Sequence, residues 1–180
     1  AEDYVKGMIS LEELVPRHYW RERTYDIYTG HGWDSSKREA KLIERNQPWS
    51  EPSYPHTILT QTYTLLTDNA ELAYAVNEPS RADRDARVLM RPDGDIAAFS
   101  VATSTYTIAS RIPDVTIEEL IAAEGAYPDW VTERYLQLPT IPQRVRQMAT
   151  EVVEKAGATT RYAKAVAIES YIRSFTYDLE

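Results

Sequence analysis

The pattern of hydrophobic and polar positions changes period near Pro113. Ahead of it, apolar and β-branched residues alternate with polar ones. In 22–29 (ERTYDIYT), Tyr25, Ile27 and Thr29 alternate with Asp26 and Tyr28, and the run ends at GHGW, where Gly30 and Gly32 permit a tight turn. TILTQTYTLLT (57–67) sets Ile58, Thr60, Thr62 and Thr64 against Leu59, Gln61, Tyr63 and Leu65, and ELAYAV (71–76) is a second, shorter run. ARVLMR (86–91) and DIAAFSV (95–101) flank Pro92-Asp93-Gly94, a hairpin signal because Gly94 can take the positive φ the turn needs. STYTIASR (104–111) opposes Tyr106 and Ile108 to Thr107 and Ala109. The stretch 45–56 carries Pro48, Pro52 and Pro55 and excludes regular structure. Roughly six strands at spacings near ten residues predict an antiparallel β-sandwich or open barrel.

Beyond Pro113 the period is helical. Thr116 and Glu119 form a capping box ahead of Ile117, Leu120 and Ile121, with Gly125 placed to follow the helix end. YPDWVTERYLQLP gives a further helical turn closed by Pro139. Pro142 sits near the first position of the next helix, where its missing N–H costs nothing. Val145, Met148, Val152 and Ala156 mark one face of that helix and Gly157 ends it. Thr160 caps a last helix, whose buried stripe is predicted at Ala165, Ile168, Ile172 and Phe175. The aromatic exit Phe175 and Tyr177 reads as the approach to another strand. The fold class is therefore α+β: a sandwich or open barrel followed by a C-terminal group of about three to four helices. Near the N-terminus, Ser10 and Glu13 of SLEEL form another capping box.

Composition narrows the function more than the fold. Of the 180 residues, 43% are hydrophobic, enough for a core, and the charged residues are mixed along the chain rather than blocked. A net charge of -8 argues against nucleic acid and against an anionic membrane surface, since both need clustered Lys and Arg. The absence of cysteine removes disulfides, thiolate metal sites and a cysteine nucleophile from this chain. AEDYVKG shows no signal-peptide pattern, and no apolar run reaches the roughly 18–20 residues that span a bilayer. The 13 tyrosines against 2 phenylalanines suit pleated strands with one wet face.

Candidate chemistry is sparse. His18, His31 and His56 stand in separate loop contexts and would need carboxylates such as Asp26 or Asp34 brought to them, so no metal site is expected. Asp83, Asp85, Asp93 and Asp95 lack the spacing of a calcium loop and read as turn residues. No GxSxG elbow occurs, and no acidic pair is marked out for glycoside cleavage. Catalytic residues and cofactors are accordingly expected to be none. Tyr19, Trp20, Tyr25, Tyr28 and Trp33 cluster in sequence. Such rings either fill a core, with polar tips at its edge, or stack on a ligand; Tyr25, Tyr28 and Trp33 are the candidate ligand-binding residues.

Two stretches together carry a resemblance. YWRERTYDIYTGHGW (19–33), and AYPDWVTERYLQLPTIPQRVRQMA (126–149) with TTRYAKAVAIESYIRSFTYDLE (159–180), resemble in order and separation the extracytoplasmic region of bacterial membrane-anchored transglutaminase-like proteins of the TgpA type. The strings YTG-GW and YLQLP with the following Pro-Arg-Val are specific in combination. The strand-rich middle is similar only in style. The resemblance implies an N-terminal arm with a short helix (1–17), a β-rich accessory domain (18–112), a helical connector (113–139) and the first helices of a transglutaminase-like core (140–180). It implies that the papain-like Cys, His and Asp lie beyond this chain, so no catalytic residue is carried over to any position here. It also implies an extracytoplasmic place in a membrane-anchored parent.

The expected function is thus a non-catalytic accessory or scaffold region, helping to position a peptide or protein substrate, with the remainder of the parent chain as its partner. The alternative is a stand-alone β-sandwich module binding cell-wall peptide or glycan through surface aromatics. An independent hydrolase would require a histidine bonded to a buried carboxylate beside a serine in a cleft. In isolation, the uncovered helical stripe predicts self-association into a dimer.

Overall fold

The computed structural model describes residues 18–51, 54–66 and 71–176. The SLEEL capping box, the arm 1–17 and Tyr177 lie outside these residues. The chain is α+β: among the described residues ten short strands, antiparallel wherever a register is defined, precede four helices. It divides into two compact units that are not contiguous in sequence. The first comprises 1–24, 38–53 and 57–112, and the second 25–37, 54–56 and 113–180. The stretch 18–112, grouped as one β-rich region in the sequence, therefore gives up the hairpin segment 25–37 and residues 54–56 to the helical unit.

The first unit holds two three-stranded sheets. One has the order β4 (Glu39–Ile43), β8 (Ala86–Met90), β9 (Ile96–Val101); the other has β5 (His56–Thr64), β10 (Thr105–Pro113), β7 (Pro79–Ala82). A two-stranded pair joins β1 (Trp20–Arg21) to β6 (Ala75–Val76). Val88, Phe99, Tyr106 and Ile108, drawn from both larger sheets, meet in one hydrophobic cluster with Trp49 and Tyr63. No closed barrel forms among the described residues. The Pro92-Asp93-Gly94 turn joins β8 to β9 as its chemistry requires: Gly94 has φ +89° and its N–H donates to the Arg91 carbonyl at 2.9 Å. The alternation in 104–111 is observed, with Tyr106 and Ile108 in the core.

Two buried arginines are held by polar partners. Arg91 donates to the Thr24 hydroxyl and carbonyl at 2.8 and 2.9 Å and pairs with Asp95. Arg111 pairs with Glu78 at 3.2 Å and donates to Ser50. A charge removed from water requires such partners, because an uncompensated one costs several kcal/mol.

The second unit contains the hairpin of β2 (Ile27–Tyr28) and β3 (Trp33–Asp34) and helices α1 (Ile117–Ala122), α2 (Asp129–Tyr135), α3 (Gln143–Lys155) and α4 (Arg161–Arg173). The Thr116–Glu119 capping box forms, Thr160 caps α4 by accepting from the Ala163 N–H at 3.2 Å, and Gly157 follows α3 at φ +60°. None of the four helices contains a buried residue. The stripe expected to be buried on the last helix is not: Ile172 and Phe175 are 62% and 61% exposed, and Ala165 is exposed. Among the described residues of the unit, α4 packs mainly on α1 and α3, and so thin a layer covers one flank of a helix and leaves the rest to solvent.

Candidate functional site

The two strings that carry the resemblance converge in the second unit. At the hairpin turn, the Thr29 N–H donates to the Gly32 carbonyl at 3.0 Å and Gly30 adopts φ +90°, a region that favours glycine. A Cβ at Gly30 would lie 3.5 Å from the Pro139 ring. The glycine of YTG thus sits against the proline of YLQLP. One residue ahead of β2, Asp26 is buried. Its Oδ1 accepts from the Ser36 N–H at 2.8 Å, its Oδ2 accepts from the Ser36 hydroxyl at 2.5 Å, and Arg134 of α2 approaches Oδ2 at 3.8 Å. The carboxylate closes the far end of the hairpin and fixes it to α2. A β-hairpin and a helical connector some hundred residues apart are thus joined by these residues.

Beside this cluster lies a cavity of about 400 Å³, lined by Ile27, Ser36, Trp130, Glu133, Arg134 and Gln137. Glu133 and Arg134 stand three and four residues after Trp130, and Gln137 stands four and three residues after them, which puts all four towards one side of α2 and its C-terminal extension. Trp130 is half exposed, and the Gln137 amide donates to the Arg134 carbonyl at 3.0 Å. The combination offers an indole face, an aliphatic wall, and both donors and acceptors within a few ångströms.

The candidate aromatics are placed differently. Tyr28 and Trp33 are cross-strand partners with ring centroids 5.3 Å apart, while Ile27, paired with Asp34, points to the opposite face and lines the cavity. Trp33 is 63% exposed and Tyr25 is 50% exposed; Tyr28 is half-buried and its hydroxyl donates to the Gly30 carbonyl at 3.3 Å. None of the three lines the cavity. Trp20 packs edge-on against Tyr63, with centroids 5.2 Å apart, in the first unit. The aromatics clustered in sequence are thus divided between the two units.

The other candidates have local partners. Asp83 accepts from the Thr107 N–H, Asp85 from the Arg45 N–H (both 2.8 Å), and Asp93 from the Asp95 N–H at 3.3 Å. His56 Nδ1 lies 2.9 Å from the Tyr54 carbonyl rather than against a buried carboxylate. Among the described residues no three His, Asp or Glu side chains are gathered as a metal site would require. A larger depression of about 620 Å³ lies across the ends of β4, β8 and β9, and the cross-strand row Leu42, Arg87, Ser100 forms part of its wall. A third, apolar groove of about 370 Å³ runs between α3 and α4, lined by Val145, Met148, Val152, Ile168 and Ile172. Val145 and Met148, expected to share one face of α3, are nearly half exposed there.

Sequence reasoning missed Trp130, Glu133, Arg134 and Gln137 as a site, and it considered Asp26 only as a histidine's metal partner. The helical spacing of the α2 residues was available; the meeting of Asp26 with Arg134 is a tertiary fact that no local pattern carries.

The uncharacterized protein YebA of Bacillus subtilis (strain 168) is similar to this chain, 24% identical over 185 residues that cover 91% of the chain. The chain spans 25% of the length of that relative. No family model matches, and no solved structure matches at a significant level. No helix among the described residues is long and apolar enough to cross a membrane.

Proposed function

We propose that this chain is a non-catalytic accessory and scaffold region of a longer, membrane-anchored, extracytoplasmic transglutaminase-like protein, and that α3 and α4 are the first helices of its papain-like core, their apolar face covered by the remainder of that core. The observation that carries the reading is the uncovered apolar groove on α3 and α4, in a unit whose helices bury no residue. An amphipathic face of this kind is stable in water only when another layer covers it. The greater length of YebA, which this chain covers only in part, is consistent with such a layer being supplied by the same polypeptide. The role of the region is to hold the core and to help position a peptide or protein substrate.

The test begins with the adjoining reading frame. It is expected to encode Cys, His and Asp in papain-like order and a membrane-spanning segment; a frame without them contradicts the reading. Titration of the separately expressed remainder of the parent chain into this chain is then expected to shift the methyl resonances of Val145, Met148, Val152, Ile168 and Ile172. Shifts confined to the β unit contradict it.

A second reading rests on the exposure of Trp33 and Tyr25: a surface that binds cell-wall peptide or glycan through these rings. Co-sedimentation with cell-wall material that is lost in Trp33→Ala supports it; co-sedimentation unchanged in that variant removes it.

A further inference from the structure

From the cavity between the β2–β3 hairpin and α2, we infer a binding site for an uncharged saccharide, with the Trp130 indole as the stacking surface. The choice of ligand class follows from charge and shape. An anion is disfavoured, because the Arg134 guanidinium already faces the buried Asp26 carboxylate at 3.8 Å and shares the cavity with Glu133. A cation is disfavoured for the converse reason: Glu133 shares the lining with Arg134, whose fixed positive charge offsets its own. A purely apolar ligand would cover the polar side chains of Glu133 and Gln137 without giving them new partners. A pyranose meets all three conditions: it has a flat C–H face for an indole, and its rim of hydroxyls both donates and accepts.

The wall residues are fixed before any ligand arrives. Ser36 is held through its N–H and its hydroxyl by Asp26, Arg134 is held by the same carboxylate, and Gln137 is tied to the Arg134 carbonyl. The Trp130 ring makes an edge-on contact with Tyr135, with centroids 6.3 Å apart. Preorganisation of this kind lowers the ordering cost that otherwise weakens binding to polar ligands. The volume of about 400 Å³ lies in the range of small-ligand pockets and accommodates one or two sugar rings. This site is independent of the scaffold reading, which concerns α3 and α4, and it does not use Tyr25, Tyr28 or Trp33.

The test is a titration of the intact chain with cellotetraose and with chitotetraose, followed through the indole N–H resonance of Trp130, assigned by its loss in Trp130→Phe. A saturable shift is expected with at least one of them at concentrations up to ~10 mM. Calorimetric titration, which needs no indole reporter, compares the variants: Trp130→Ala is expected to weaken binding about tenfold or more, as truncation of a central aromatic contact does. Trp130→Phe keeps an aromatic face and retains most of the affinity, while Gln137→Ala loses part of it. Trp33→Ala leaves binding unchanged. The inference is overturned if neither oligosaccharide moves the Trp130 resonance, if binding survives Trp130→Ala, or if Trp33→Ala abolishes it. Tighter binding of inorganic sulfate or of a lysine-containing peptide at the same resonance also overturns it. Far-ultraviolet circular dichroism of each variant separates lost binding from lost folding.

Discussion

The two units of this chain hold themselves together by different means. In the β unit, side chains from two sheets meet in a core where Val88 and Ile108 have no solvent exposure, and even its arginines Arg91 and Arg111 are buried and paired. In the helical unit no helix residue is buried, and cohesion comes from specific links: Asp26 with Ser36 and Arg134, Gly30 against Pro139, and Arg161 stacked 4.1 Å from the Tyr127 ring. A core of the first kind loses stability in proportion to apolar area removed. A unit of the second kind depends on a few polar and backbone contacts, and its apolar face remains available to something else. The difference teaches where stability and where association should be sought.

Substitutions can break that contrast, and the largest effect is expected in the β core. Phe99→Ala removes a ring that packs on Trp49 and Tyr106, with centroids 4.9 and 6.1 Å away, and should destabilise the chain by about 3–5 kcal/mol in chemical denaturation. Asp26→Ala comes next. It leaves Arg134 and Ser36 without their buried acceptor and should cost about 3 kcal/mol, with the loss confined to the hairpin and helices by hydrogen exchange.

Tyr106→Phe is intermediate and depends on pH. The phenol donates to the Tyr74 carbonyl at 2.8 Å and accepts its N–H at 2.6 Å, so its removal should cost about 1–2 kcal/mol at neutral pH. Burial pushes the Tyr106 phenol from its ordinary 10.0 up to about 12, with the hydrogen bond to Tyr74 opposing the shift. The unfolded chain therefore loses this proton first. The stability linked to it is complete below pH 10 and disappears as pH rises through about 12, a loss of about 2–3 kcal/mol that Tyr106→Phe should lack. Tyr63, also raised by burial, leaves a remaining slope of the same sign.

Smaller effects belong to the helices. Thr116→Ala removes the α1 capping box and should reduce stability by about 1 kcal/mol. Ile172→Ala, on the exposed side of α4, should change stability by less than about 0.5 kcal/mol while weakening any association through the α3–α4 groove. Sedimentation of the wild type and of Ile172→Ala across a concentration series measures the second effect. A concentration-independent monomer for the wild type removes self-association from the account.

Local chemistry was legible in the sequence and partnership was not. The Pro-Asp-Gly hairpin, the Thr116 box, the Thr160 cap and the alternation of Tyr106 and Ile108 each rest on a rule that acts within a few residues, and each is observed. Strands β4 and β7 escaped notice. Glu39–Ile43 is almost wholly exposed and lies at a sheet edge, so no buried alternation marks it, and Pro79–Ala82 opens on a proline and contains an arginine. The stripe on α4 was read correctly as apolar and wrongly as buried, because periodicity reports the character of a face and not what covers it. The cavity beside Trp130 was illegible for a related reason: its walls come from segments a hundred residues apart, joined through one buried aspartate.

The most direct test of the scaffold account is hydrogen–deuterium exchange of α3 and α4, compared between this chain alone and the longer transglutaminase-like protein proposed to contain it. The account predicts fast exchange in the isolated chain and strong protection of both helices in the longer protein, with β8, β9 and β10 equally protected in the two. Equal exchange of α3 and α4 in both settings would contradict it.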